Sequence, residues 1–303
     1  MGAGSKPELS GLGYASDELD HPAIAAVGHP AFGQLAPAGG PSFLAPAAGL
    51  IRSLDVALPD YQGGQDFLAA WAPATSQFQP GFPQAVNDLQ FLTGPSVADI
   101  DGLAGEEVVA GTASMDLAAF TAAGLRPTPR WPKLTTDWTV ANPLIGSFGT
   151  LDTEAGARKV VVGLTRSGYV NAYATQAPAC SPSSWPRFHH DNANSGDFGR
   201  DATPPGKPTD GARRGGDITF TAPGDDLLCG KVDHYEVATS RRLITETSFD
   251  RTQDLPHAAA SAQPGEAETY TPPAEAWRYV AIRAVDEQGN VGRAVSIQVG
   301  ASG

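Results

Sequence analysis

Apolar and polar positions fall into two patterns along the 303 residues. Over residues 95–175 the apolar positions come as short unbroken runs bounded by Gly, Pro or Asp. These are Ser96–Ile100, Glu107–Gly111 and Met115–Phe120, then Leu144–Phe148, Lys159–Gly163 and Tyr169–Tyr173. Runs this short, closed at both ends by turn residues, predict strands buried on both faces between stacked sheets. No 3.6-residue stripe persists and Pro interrupts throughout, which rules out a helical reading. From residue 209 onward the pattern becomes alternation. Ile218 and Phe220 share a face, as do Tyr235 and Val237, then Val280, Ile282 and Ala284, and last Val295, Ile297 and Val299. Period two in at least four strands predicts an antiparallel β-sandwich over 209–303. The Pro-rich stretch 201–208, centred on Thr203–Pro208, is a stiff linker between the two patterns.

The first pattern repeats. Pro95–Ile100 matches Pro143–Phe148, and Trp131-Pro132 matches Trp185-Pro186 at a similar interval. Phe82-Pro83 is a third copy of that stop, one interval before Trp131-Pro132. The first unit opens near Pro30–Leu35 and carries an insertion over Ile51–Gln65. A period of roughly 50 residues with three or four strands is the size of a propeller blade. Blades fill residues 30–200. Residues 1–29 read as the remnant of an earlier blade or as disorder, with Ile24–Gly28 the tail of a strand. The expected fold is all-β, a partial β-propeller of about three blades followed by an immunoglobulin-like sandwich. Three sheets stacked face to face would leave two outer faces uncovered.

Ala98-Asp99-Ile100-Asp101-Gly102, followed by Glu106-Glu107-Val108-Val109-Ala110-Gly111-Thr112, resembles the FG-GAP (integrin-α-like, also called VCBS) propeller repeat. Trp185-Pro186-Arg187-Phe188-His189-His190-Asp191 resembles the closing segment of such propellers in large secreted bacterial proteins. Thr219–Asp226 and Ala281–Asn290 look like the B strand and F–G hairpin of a fibronectin type III domain. At the place of that family's tyrosine corner stands Arg278, between Trp277 and Tyr279. The resemblance implies the C-terminal part of a longer secreted protein, with the remaining blades supplied by an upstream chain. It also favours pairing of Cys180 with Cys229, because look-alike sequences carry the two cysteines together. Taken without it, two lone cysteines fit either one disulfide or two buried thiols.

Composition narrows the function classes. The 35 Gly and 26 Pro, about a fifth of the chain, suit many short strands joined by turns. A formal charge of −13 argues against nucleic acid as a partner. No apolar run reaches the length of a membrane span, and any export signal is expected outside this chain. Asp99, Asp101 and Glu107 occupy positions 1, 3 and 9 of a calcium-type loop, where hard oxygens at alternating positions converge on one ion. Position 5 is Leu103, which offers no oxygen, so no cofactor is expected beyond this calcium candidate. His189-His190-Asp191 suggests a metal or triad, but neighbours in a strand face opposite ways, which favours a structural role alongside Trp131, Trp185 and Phe188. No G-x-S-x-G, H-E-x-x-H, Walker or G-x-G-x-x-G signature is present. The expectation is a non-catalytic, extracellular or cell-surface region that binds protein or carbohydrate ligands. The alternative is the accessory C-terminal region of a secreted hydrolase such as a subtilisin-like peptidase.

Overall fold

A computed structural model describes residues 24–25, 28–35, 39–48, 66–75, 77–87, 90, 93–127, 131–147, 157–274 and 276–300. The expectations for residues 1–23 and for the insertion over Ile51–Gln65 lie outside them. The described residues are all-β, with five antiparallel sheets, none of them closed. The chain divides into two compact units, residues 1–200 and 201–303.

The first unit holds three sheets. The first contains β1 (Ile24–Ala25), β2 (Ala31–Gly33), β3 (Ser42–Ala48), β4 (Asp66–Trp71) and β5 (Gln84–Val86). Its order is β1-β3-β4-β5, with β2 pairing with the other end of β3. The second runs β6 (Ser96–Ala98), β7 (Glu107–Gly111), β8 (Asp116–Phe120) and β9 (Lys133–Leu134) in sequence order. The third runs β10 (Leu144–Gly146), β11 (Arg158–Leu164) and β12 (Val170–Pro178).

Small and β-branched residues on both faces let these sheets stack. Val97, Val108, Ala110, Ala118 and Phe120 of the second sheet pack on Ala31, Leu44, Leu68 and Ala70 of the first. The opposite face of the second sheet, with Ala98, Val109, Leu117 and Ala119, packs on Ile145 and Val161 of the third. The first contact is close enough that a Cβ on Gly33 would sit 2.7 Å from Val97 Cγ1, so glycine is required there. The stack does not end as the sequence suggested. On the far side of the first sheet Ala45, Ala47, Phe67, Ala69 and Trp71 are buried, with Phe78 packed against them. The third sheet does leave its outer face open.

The second unit contains β13 (Thr209–Arg214), β14 (Asp217–Thr221), β15 (His234–Ser240), β16 (Gln253–Ala259), β17 (Ala267–Tyr270), β18 (Tyr279–Val285) and β19 (Val295–Gln298). A single 3-10 turn, Phe249–Arg251, precedes β16. One sheet runs β13-β14-β17 and the other β16-β15-β18-β19. The alternating residues of the sequence meet in one core: Ile218, Phe220, Tyr235, Val237, Val280, Ile282, Ala284, Ile297 and Val299, with Val295 at its margin. Both cysteines, Cys180 and Cys229, are disulfide-bonded and none is free.

Candidate functional site

The β6–β7 turn and the segment that returns to it build the polar centre of the first unit. Asp99 follows β6 and Glu107 opens β7, so the hairpin register brings both carboxylates to one end of the second sheet. Asp99 Oδ1 accepts from the Gly102 N–H at 2.8 Å, Asp101 Oδ1 from Leu103 N–H at 2.8 Å, and Glu107 Oε2 from Ile100 N–H at 2.8 Å. Asp99 and Glu107 are both buried, and one carboxylate oxygen from each of Asp99, Asp101 and Glu107 lies within 4.8 Å of the others. Burial, followed by the charges of Asp101 and Asp99, pushes the Glu107 carboxyl up to about 7.

One cation lies in this acidic environment. Lys159, at the start of β11, is 1% exposed and donates from Nζ to the carbonyls of Ser181 and Pro182. Burial holds its ammonium down at about 8, against the opposing pull of Asp99, Glu106 and Glu107. The residues present match a hard divalent cation in kind. They bring together one oxygen from each of three carboxylates, fewer than the six to eight oxygens that calcium takes. Leu103, at the missing ligand position, is exposed to solvent.

Glu106, one residue before Glu107, faces the other way and has a different task. Its Oε1 accepts from the Ser184 N–H at 2.7 Å, and its Oε2 accepts from the Ser184 hydroxyl and from the Gln34 N–H. This carboxylate fixes the returning segment. Trp185 then pairs with Val97 of β6 through two backbone hydrogen bonds of 2.7 and 3.0 Å. Its indole is buried in the core between the first and second sheets. Asp99 N–H donates to the Pro182 carbonyl and Ile145 N–H to that of Pro186. The segment thus meets the edge strands of two sheets, β6 of the second and β10 of the third, whose N–H groups donate to it.

The histidines sit in a turn, not in a strand. His189 and His190 have φ of 50° and 75°. The His189 ring stacks on Phe188 at 3.8 Å, and both meet His29 edge-on. The His190 ring lies 5.2 Å from Trp185. Asp191 secures the turn by accepting from the Ala193 N–H, the Ser195 N–H and the Ser195 hydroxyl. Its carboxyl is held down at about 2: burial works to raise it, and these bonds together with His190 outweigh that. Trp131 is half-buried against the core between the second and third sheets, with Lys133 Nζ 5.5 Å from its ring.

A second carboxylate group was invisible in the sequence. Asp201, Asp225 and Glu287 of the second unit bring oxygens within 4.8 Å of one another, although their positions are far apart in the chain. Asp225 Oδ1 is buried without a hydrogen-bond partner. Burial, then Glu287 and its acidic neighbours, raises the Asp225 carboxyl to about 7. Asp226 is raised to about 6 by burial and then by Asp201. Asp286 anchors the adjoining hairpin by accepting from the Gln288 and Asn290 N–H groups at 2.9 and 2.7 Å.

No family model and no curated protein matches the chain. One similar solved structure is that of a "Novel fungal alcohol oxidase with catalytic diversity among the AA5 family, in complex with copper". The identity is 16%, the match covers 91% of this chain and 55% of that one, and the TM-score is 0.22. The chain thus spans about half of that protein's length, and a likeness at this TM-score carries no argument.

Proposed function

We propose that this chain is a non-catalytic, extracellular binding or spacer region, in which FG-GAP-like blades of an incomplete propeller precede a fibronectin type III-like sandwich. The observation that carries the reading is the outer face of the third sheet. In the second sheet Val109 pairs with Ala119 and Gly111 with Leu117; in the third, Val162 pairs with Ala172 and Leu164 with Val170. Ala98, Val109, Leu117 and Ala119, all buried under the third sheet, thus have Gly146, Val162, Val170 and Ala172 as their counterparts. Leu117 is 0% exposed, whereas Val170 is 68% exposed. The third sheet presents the face that the repeat elsewhere covers with a further sheet. A face of this kind marks an interaction surface. The disulfide supports an oxidising compartment.

Association tests the reading. The native chain is expected to bind bis-ANS and to self-associate as its concentration rises. Val170→Asp with Leu164→Lys should abolish both while leaving the melting temperature within about 3 °C, because neither side chain is buried. A dye-silent monomer at high concentration would overturn it.

A further inference from the structure

Trp277, Arg278 and Tyr279, which stand where the sequence departs from the fibronectin type III pattern, lie at one end of the second unit. There Ser240 of β15 pairs with Tyr279 of β18, and the Trp277 N–H donates to Thr239 Oγ1 at 2.8 Å. The turn after β15 therefore places Arg241 beside Trp277, and Arg242 and Leu243 follow it in the chain. The Arg241 guanidinium lies 5.0 Å from the centre of the Trp277 ring, and that of Arg278 lies 5.5 Å from the Tyr279 ring. Trp277 is 41% exposed and Leu243 60%.

Three features set this end apart from an ordinary solvated surface. Among the described residues, Arg241, Arg242 and Arg278 form no ion pair, although the chain carries a formal charge of −13. Arg278 Nε is buried and lacks an acceptor, a condition that costs free energy until an acceptor arrives. Two of the guanidinium groups are also held over aromatic rings. A planar fork fixed in this way loses little entropy when it takes a carboxylate in bidentate fashion.

We infer that this end of the second unit is a docking site for an acidic peptide segment with interspersed apolar side chains. The arginines take the carboxylates, while the exposed edge of Trp277 and the Leu243 side chain take the apolar groups. Charge complementarity selects an acidic partner. The apolar component selects a peptide over a sulfated polysaccharide, which has no apolar side chain to offer Leu243. This site is independent of the stacked sheets and stands or falls apart from the function proposed above.

The test is fluorescence anisotropy of a fluorescein-labelled hexapeptide of alternating glutamate and leucine, titrated with the full-length chain. Saturable binding that weakens as salt is raised is expected. Arg241→Gln, at an exposed position, and Arg278→Lys, which keeps the charge and loses the fork, should each weaken it about fivefold or more. Lys207→Gln, an exposed charge elsewhere in the unit, should leave it unchanged. Absence of saturable binding, or equal binding by the Arg241→Gln and Arg278→Lys chains, overturns the site. Tighter binding of a labelled heparin oligosaccharide, lost in Arg241→Gln, overturns the peptide assignment in favour of a glycan.

Discussion

Trp185→Ala is expected to cost the first unit about 3–5 kcal/mol, the range for truncating a buried Trp or Phe. The indole is 3% exposed and fills the core shared by the first two sheets, packing on Phe32 at 5.7 Å between ring centres and on His190. Its loss leaves a cavity where two sheets meet and loosens the backbone pairing with Val97. Trp185→Phe separates packing from polarity. Trp185 Nε1 is buried without a partner, so phenylalanine removes an orphan donor while keeping most of the volume. That variant should cost under about 1.5 kcal/mol. Thermal unfolding of both variants, followed by near-ultraviolet circular dichroism, checks the pair. Equal losses would mean that the indole acts through a polar contact and not as core.

Glu107→Gln is expected to stabilise the first unit above neutral pH and to do little below pH 4.5. The Glu107 carboxyl rises from 4.5 to about 7 on folding, so the folded state holds the extra proton between those values. Stability from this group is fully present below 4.5 and is lost as pH climbs to 7. Glutamine mimics the protonated acid and can still accept from the Ile100 N–H, so the gain at pH 8 is on the order of 2 kcal/mol. Lys159 acts at higher pH. Its folded value of about 8 lies below 10.5, so its contribution is present above 10.5 and is lost as pH falls to 8. The variant also tests the calcium candidate. A divalent ion held by Asp99, Asp101 and Glu107 would make Glu107→Gln destabilising and the melting temperature of the parent chain chelator-sensitive. The expected result is a stabilised variant and a parent chain indifferent to EDTA.

Much of the strand layout was legible where burial dictated the side chains. The unbroken apolar runs of β6 to β8 lie between sheets, those of β10 to β12 form the next sheet with only one face buried, and the alternation of the second unit mapped onto one core. Strands with weak side-chain signals escaped notice. β3 is Ala-rich, carries a proline and has no β-branched residue, β9 spans two residues, and the exposed β13 reads Thr-Asp-Gly-Ala-Arg-Arg. The site was legible only where its members are local. Asp99, Asp101 and Glu107 share one turn, whereas Asp201, Asp225 and Glu287 come together only through folding. Lys159, in the run Arg158-Lys159-Val160, looks like a solvated charge, and only the returning segment buries it. Glu106 and Glu107 are alike in sequence, yet alternation sends one to the closing segment and the other to the acidic turn.

The open face of the third sheet can be probed directly, residue by residue. Hydroxyl-radical footprinting of the native chain, resolved by mass spectrometry, compares exposed residues of the third sheet with buried residues of the second. Leu164 and Val170 should be oxidised readily while Val109 and Leu117 stay protected. Protection of all four alike, in a monomer, would contradict the incomplete stack.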